Sequence, residues 1–386
     1  MEILKKKLTR REFIKFGIAG LAGLGLSWYV LNSVRFPSRI LQGQGPEKLW
    51  KWSKEAYHYL KLGENVQCRL CPNQCILSPG DRGFCRVRVN FQGKLYTLVY
   101  GNPCAVHVDP IEKKPLFHFL PGSRAFSIAT AGCNFRCLNC QNWEISQSKP
   151  EDTRNIEMFP EDVVAAASRY DCESIAYTYS EPTVFYEYML DTSKLAKEKG
   201  IRNIWITNGY MNEKPLLQLC KYLDAANVDL KSFREEIYNT LNSGRLQPVL
   251  NTLKTLKLQK IWFEITNLVI PGYTDDLDMI REMCKWIYRN LGGNYPLHFS
   301  RFHPHYKLKS LPPTPVEVLE KARKIAMEEG VRFVYIGNVP GHPAESTYCP
   351  GCGKVLIRRI GYVIKEMNAE GGVCRFCGEE IPGVWE

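Results

Sequence analysis

A chain of 386 residues exceeds the ~250–300 residues at which a single hydrophobic core stops growing, so one large domain with small appendages is expected. Hydrophobic content of 45% and aromatic content of 12% exclude a disordered chain. The net charge of +11 is concentrated at one end: residues 1–40 hold eight Lys/Arg against two Asp/Glu, the remainder carries only +5, and a nucleic-acid groove is not implied.

The chain opens on Lys5, Lys6, Lys7, Arg10, Arg11 and Lys15, followed by Phe16–Val34 without a formal charge. "TRREFIK" at Thr9–Lys15 resembles the bacterial twin-arginine export signal, with an aromatic residue two places after the second Arg. The Gly- and Ala-rich stretch of 19 residues is just long enough to span a bilayer, and no A-x-A cleavage site follows it. An exported or membrane-anchored protein is expected, its basic end inside the cell; a basic tail on a cytoplasmic protein is the alternative.

Residues 35–60 read as a linker and then a short helix around "EKLWKWSKEAYHYLK". "CRLCPNQC…GFC" supplies Cys68, Cys71, Cys75 and Cys85, a four-thiolate set for zinc or an auxiliary 4Fe–4S cluster, and its tight knuckle and hairpin context favours zinc. "CRVRVNFQGKLYTLVYG" reads as two strands turning at Gln92–Gly93. "HVDPIEKKPLFHF" presents His107, Asp109, Glu112, Lys113 and His118, which either edge a substrate opening or, in the alternative, leave Lys113 and Lys114 as a solvated face and His118 as a packing residue. None of them is assigned to a site.

From Arg124 onward strands and helices alternate. Strands are expected at Ala125–Thr130, Ser174–Thr178, Asn203–Thr207, Asn227–Leu230, Ile261–Val269, Leu297–Arg301 and Arg332–Ile336, with helices such as Pro160–Tyr170, Val184–Lys199, Leu277–Leu291 and Pro315–Glu329 between them. Parallel βαβ units in this number fit a barrel or partial barrel better than a doubly wound sheet. No Gly-rich phosphate loop follows the first strand, which argues against a dinucleotide fold. A cysteine cluster follows it instead, where parallel α/β folds build their active sites.

Eleven of the fifteen cysteines fall into three tight groups, which suits metal ligation rather than disulfides; Cys104, Cys172, Cys220 and Cys284 read as buried small hydrophobes. In "AGCNFRCLNCQNWEIS" a closed zinc site would need four ligands, but only Cys133, Cys137 and Cys140 are present, with no other Cys or His nearby. Three thiolates suit a 4Fe–4S cluster with one iron left open; half a zinc site completed from elsewhere is the alternative. At the far end, "CPGCG" and "CRFCG" supply Cys349, Cys352, Cys374 and Cys377 in a zinc-ribbon pattern. Residues 346–386 hold five Lys/Arg and five Asp/Glu, so the ribbon lacks the footprint of a nucleic-acid binder.

The C-x3-C-x2-C arrangement resembles the signature of the radical S-adenosylmethionine (SAM) superfamily. The resemblance implies that the open iron chelates SAM, and that one electron cleaves it to methionine and a 5′-deoxyadenosyl radical that abstracts hydrogen. Asn139 stands where the superfamily usually has an aromatic residue that packs on the adenine. By the same resemblance Ser180 and Glu181 of "YTYSEPT" match the motif whose acid receives the SAM ammonium. Asn208 of "WITNGY", Asp229 and Lys231 of "NVDLKSF", and "EITNLVIPGYTDD" match the glycyl-radical activating enzymes, and His303 of "FSRFHPH" matches a SAM-contacting His. Together with "CRLCPNQC" and "CPGCGKVLIRRIGY", the motifs resemble the radical SAM member of the AmmeMemoRadiSam system, a relative of pyruvate formate-lyase activating enzyme. The resemblance implies a partial (β/α)6 TIM-like barrel, a low-potential electron donor, and Memo-like and AMMECR-like partners. A protein substrate follows by analogy with the activating enzymes. The expected division is a leader at 1–40, a Cys-rich region at 41–120, the barrel at 121–345 and the ribbon at 346–386. A membrane-anchored iron–sulfur electron carrier is the rival reading.

Overall fold

The computed structural model describes residues 40–41 and 48–386, so the expected export signal and anchor lie outside the described residues. From Ala105 the chain builds an eight-stranded sheet: β1 (Ala105–Pro110), β2 (Arg124–Ala129), β3 (Ser174–Tyr177), β4 (Arg202–Thr207), β5 (Ala225–Asp229), β6 (Trp262–Val269), β7 (Leu297–Arg301) and β8 (Val334–Gly337). Neighbours in the sheet follow chain order, with β2 to β8 parallel and β1 antiparallel beside β2. All seven expected barrel strands form, and the sheet begins earlier than residue 121, at β1.

Six helices connect the parallel strands: α1 (Pro160–Arg169), α2 (Tyr186–Glu198), α3 (Glu213–Cys220), α4 (Leu246–Leu258), α5 (Leu277–Leu291) and α6 (Val316–Glu328). Right-handed crossovers that always step to the next strand lay every helix on one face. The strand order runs on without the reversal that marks a doubly wound sheet. β1 and β8 are the two edges. The "PGYTDD" motif sets the entry to α5: Asp275 accepts from Gly272 N at 2.9 Å, and Asp276 caps the helix by accepting from Asp278 N and Met279 N. Among the described residues no helix is long and apolar enough to cross a membrane.

The helix expected around Glu47–Lys61 does not form. Lys54–Glu55 is a strand paired with Tyr96 and Thr97, and Tyr59–Leu62 pairs with Asn65–Cys68. Trp50 and Trp52, then Tyr57 and Tyr59, recur at a spacing of two, and aromatic side chains at that period favour strands over a helix. Trp52 and Ala56 are buried, while the Lys54 ammonium reaches Asp191 at 2.6 Å. The expected hairpin forms as Arg88–Phe91 and Lys94–Thr97, turning on Gln92 (φ 51) and Gly93 (φ 74), the positive dihedrals of a type I′ turn.

The C-terminal segment folds into strands Thr347–Tyr348, Val355–Ile360 and Val363–Met367. Its core residues Cys349, Leu356, Ile357, Cys374 and Ile381 pack on Phe117, Phe333 and Tyr335. Phe117 precedes β2 and Phe333 precedes β8, so this segment covers the barrel end opposite the cysteine loop. Arg359, fully buried, donates to Phe117 O at 2.9 Å and lies 3.7 Å from Glu112. His118 bonds Pro382 O at 2.7 Å and Tyr335 Oη at 2.6 Å, and burial pushes its pKa down to about 4. For His118 the packing reading therefore holds, whereas Lys114, expected on a solvated face, is buried because its ammonium pairs with Asp109.

Candidate functional site

The loop after β2 carries Cys133 and Cys137, both buried, and Cys140, half-buried. Its start requires glycine: Gly132 has φ 96, and a Cβ there would stand 2.6 Å from Cys85 O. Two backbone bonds seat the loop on the π-helical turn Tyr238–Asn242, from Arg136 N to Asn242 O and from Leu138 N to Leu241 O, each 2.9 Å. Just beyond that turn, Gly244 lets Phe135 lie flat against the backbone.

Amide donors converge on the sulfurs. Asn242 Nδ2 lies 3.2 Å from Cys137 Sγ, Phe135 N 3.4 Å and Asn208 Nδ2 4.0 Å from Cys133 Sγ. Burial pushes the Cys133 and Cys137 thiols up and takes Cys140 up to about 11. Thiolates in such surroundings require a bound cation. The donor atoms of these three cysteines do not all lie within 4.8 Å of one another, unlike those of the C-terminal group. That spacing suits a polynuclear iron–sulfur cluster better than one ion, so the donor set fits the expected group.

Glu181, buried at the end of β3, is tied down by four donors. Oε1 accepts from Thr183 N (2.9 Å), Thr183 Oγ1 (2.6 Å) and Thr207 Oγ1 (2.7 Å), and Oε2 accepts from Asn208 N (2.8 Å). Burial nevertheless raises its carboxyl pKa, against the pull of those donors. Asn208 passes the connection on, donating from Nδ2 to Asn134 Oδ1 at 2.8 Å. Ser180 Oγ donates to Thr130 O at 2.7 Å, fixing the end of β3 to that of β2. Asp229 and Lys231 form an ion pair of 2.9 Å beyond β5, and Lys231 N donates to Tyr238 Oη at 3.0 Å. Burial would lower the Lys231 pKa, but Asp229 and the Cys137 sulfur raise it.

Asn139 is buried with its Oδ1 lacking a partner. His303 is exposed in the loop after β7, and two residues on His305 bonds Gln141 O at 3.0 Å, next to Cys140. The structure thus joins Glu181 and Asn208 to the cysteine loop through Asn134 in one hydrogen-bonded network and ties Ser180 separately to Thr130, whereas His303 stands outside it. Asn134 and Asn242 were missed by sequence reasoning. Tyr179 was missed as well: held at φ 62, it sends its hydroxyl to Asp109, between Lys113 and Lys114. Burial, opposed by Asp109, takes Lys114 down to about 8.

At the opposite end Cys349, Cys352, Cys374 and Cys377 hold their sulfurs within 4.8 Å of one another, with Cys349–Cys377 at 3.6 Å and Cys352–Cys374 at 3.9 Å. A tetrahedron with Zn–S bonds of ~2.3 Å has edges of ~3.8 Å, so this quartet fits a single tetrahedral ion.

Residues 127–287 match the family described as the Radical SAM superfamily. The uncharacterized protein MJ0808 of Methanocaldococcus jannaschii is 50% identical over 331 residues, covering 85% of this chain and 98% of its own. The pyruvate formate-lyase 1-activating enzyme of Escherichia coli is 25% identical over 232 residues, 56% of this chain and 93% of its own. Among solved structures, a radical SAM methyltransferase from Sphaerobacter thermophilus superposes with a TM-score of 0.46 at 13% identity, covering 74% of this chain and 76% of its own.

Proposed function

Since the chain belongs to the radical SAM superfamily and is an enzyme of the activating-enzyme-like type, we propose that it cleaves SAM reductively at a 4Fe–4S cluster held by Cys133, Cys137 and Cys140. Cluster and SAM together supply a 5′-deoxyadenosyl radical, which takes hydrogen from a protein or peptidyl substrate. The observation that carries this reading is the cysteine loop itself: two buried thiols and a half-buried third, with amide donors on two of them and no fourth cysteine in the loop.

The chain's own residues then bind and orient. Glu181 Oε2 accepts one hydrogen bond, which leaves a lone pair for the ammonium of SAM, while its other bonds fix the carboxylate in place. The Asp229–Lys231 pair offers an acceptor for a ribose hydroxyl and a cation for a carboxylate. Asn139 presents its unpaired Oδ1 at the edge of the loop where the adenine would lie. His303 lies in the loop after β7 for a further SAM contact. The electron-carrier reading gives no role to this network.

Anaerobically reconstituted protein given SAM and a strong reductant should form 5′-deoxyadenosine, and Cys133→Ala should not. Cluster-replete protein that leaves SAM intact refutes the reading. We extend the proposal to zinc at the C-terminal quartet, to the AmmeMemoRadiSam system with Memo-like and AMMECR-like partners, and to delivery by the twin-arginine leader. Co-purification from the native cell tests the partners. Fractionation of an Arg10→Lys/Arg11→Lys pair tests the leader, which fails if location is unchanged.

A further inference from the structure

The four cysteines ahead of the barrel form a site distinct from both others. Cys68, Cys71, Cys75 and Cys85 line one cavity, together with Arg88 and Thr183. Their spacing differs from that of the C-terminal quartet. Among the described residues, only that C-terminal group gathers three or more metal-ligating atoms within 4.8 Å of one another. No three sulfurs of the first quartet gather that closely, although all four residues line the same cavity. One ion draws four thiolates to ~3.8 Å of each other, whereas a cubane receives each thiolate on a separate iron and holds them apart. Cys133, Cys137 and Cys140 likewise do not all lie within 4.8 Å of one another.

Arg88 is 2% exposed and lines the cavity, and its two terminal nitrogens clamp Glu187. Its Nε has no hydrogen-bond partner in the protein. A buried N–H left over at a cavity wall calls for an acceptor inside it. Bridging sulfides, which a zinc site lacks, are acceptors of that kind, and such donors tune iron–sulfur centres.

The cavity also abuts the SAM-binding loop. Asn73, between Cys71 and Cys75, donates to Asn134 O at 3.0 Å, one residue from Cys133. Cys85 O presses on Gly132, the residue before Cys133. Arg136, inside the C-x3-C-x2-C loop, lies 3.7 Å over the Phe84 ring and donates to Phe84 O. Thr183, on the cavity wall, binds Glu181.

We propose that Cys68, Cys71, Cys75 and Cys85 hold a second 4Fe–4S cluster, fully ligated by protein, rather than the zinc favoured by their sequence context. A redox-active centre then lies against the loop where SAM is cleaved, and only the tail carries a structural ion. The identity of this centre does not depend on SAM chemistry, so its test is separate from the one above.

The test is the metal content of full-length protein, purified without air after supply of both iron–sulfur machinery and zinc. Wild type should carry about eight irons, about eight sulfides and about one zinc per chain. About four irons with about two zincs overturns the proposal. A C133A/C137A/C140A variant should keep about four irons and, on reduction, an electron paramagnetic resonance signal that SAM does not alter. The same variant with its zinc and a cooperative melt retained but no iron also overturns it. Should the variant fail to fold, the wild-type ratio of iron to zinc decides.

Discussion

Replacing Glu181 by Gln removes a charge and one acceptor from a carboxylate that accepts four hydrogen bonds. The two threonine hydroxyls can rotate toward other acceptors, but the backbone N–H groups of Thr183 and Asn208 are fixed. With the amide oxygen in the Oε1 position, the new NH2 faces Asn208 N, a donor against a donor 2.8 Å away in the parent. Losing the charge-assisted bond costs about 1.5–3 kcal/mol, and the stranded N–H about 1–3 kcal/mol. The burial that raises the Glu181 carboxyl pKa offsets part of this, because a neutral amide escapes the desolvation cost of a carboxylate. About 3 kcal/mol should remain, roughly two decades in the folding equilibrium at ~1.4 kcal/mol each. Anaerobic urea unfolding of cluster-loaded protein measures the loss, and the SAM-induced change in the cluster signal measures binding. A Glu181→Gln protein as stable as wild type but blind to SAM refutes the view of Glu181 as a scaffold residue. It would then be a free ammonium acceptor and nothing more.

Three further outcomes are expected. Gly244→Ala places a Cβ 2.3 Å from Phe135 Cε1, and the overpacking should cost about 1–3 kcal/mol in a thermal melt, with Cys133 displaced and cluster yield lowered. Arg88→Met leaves the buried Glu187 carboxylate without a counter-charge and with Tyr57 N as its remaining donor, a loss of about 3–5 kcal/mol by denaturant titration, and replacing both partners by Met should recover part of it. Lys114, held down at about 8 by burial against the pull of Asp109, releases its proton in the folded state while the unfolded chain keeps it to ~10.4. Stability relative to Lys114→Met should therefore rise with pH between those limits; a flat difference in urea midpoint from pH ~7.5 to ~9.5 refutes the assignment.

The parallel strands were legible because each is a short apolar run between breakers, as in the fully buried Ser174–Tyr177. α3 and α4 were harder to read, since each carries a proline, Pro215 or Pro248. Both prolines occupy the third helical position, where the missing N–H has no intrahelical acceptor to lose. The false helix at Glu47–Lys61 arose from reading polar aromatic sequence without its partners, for Lys54–Glu55 pairs with residues some forty positions later. The same reason governs the site. Cysteine spacing is local and shows in the sequence. Asn242 reaches Cys137 across 105 residues of chain, and Tyr179 reaches Asp109 across 70, so neither carried any local signal.

The C-terminal segment lays a floor beneath the barrel, joined to it through Arg359, His118 and a backbone bond from Val384 N to His118 O. A metal held by its four cysteines fastens that floor, so the free energy of metal binding is shared with the barrel wall above it. The two ends thus have separate poisons. Air would attack a cluster held by the Cys133 loop and leave the base intact, while a chelator that strips a metal from the C-terminal quartet would loosen the base first. Chelator should lower the melting temperature before it lowers turnover, and oxygen should do the reverse.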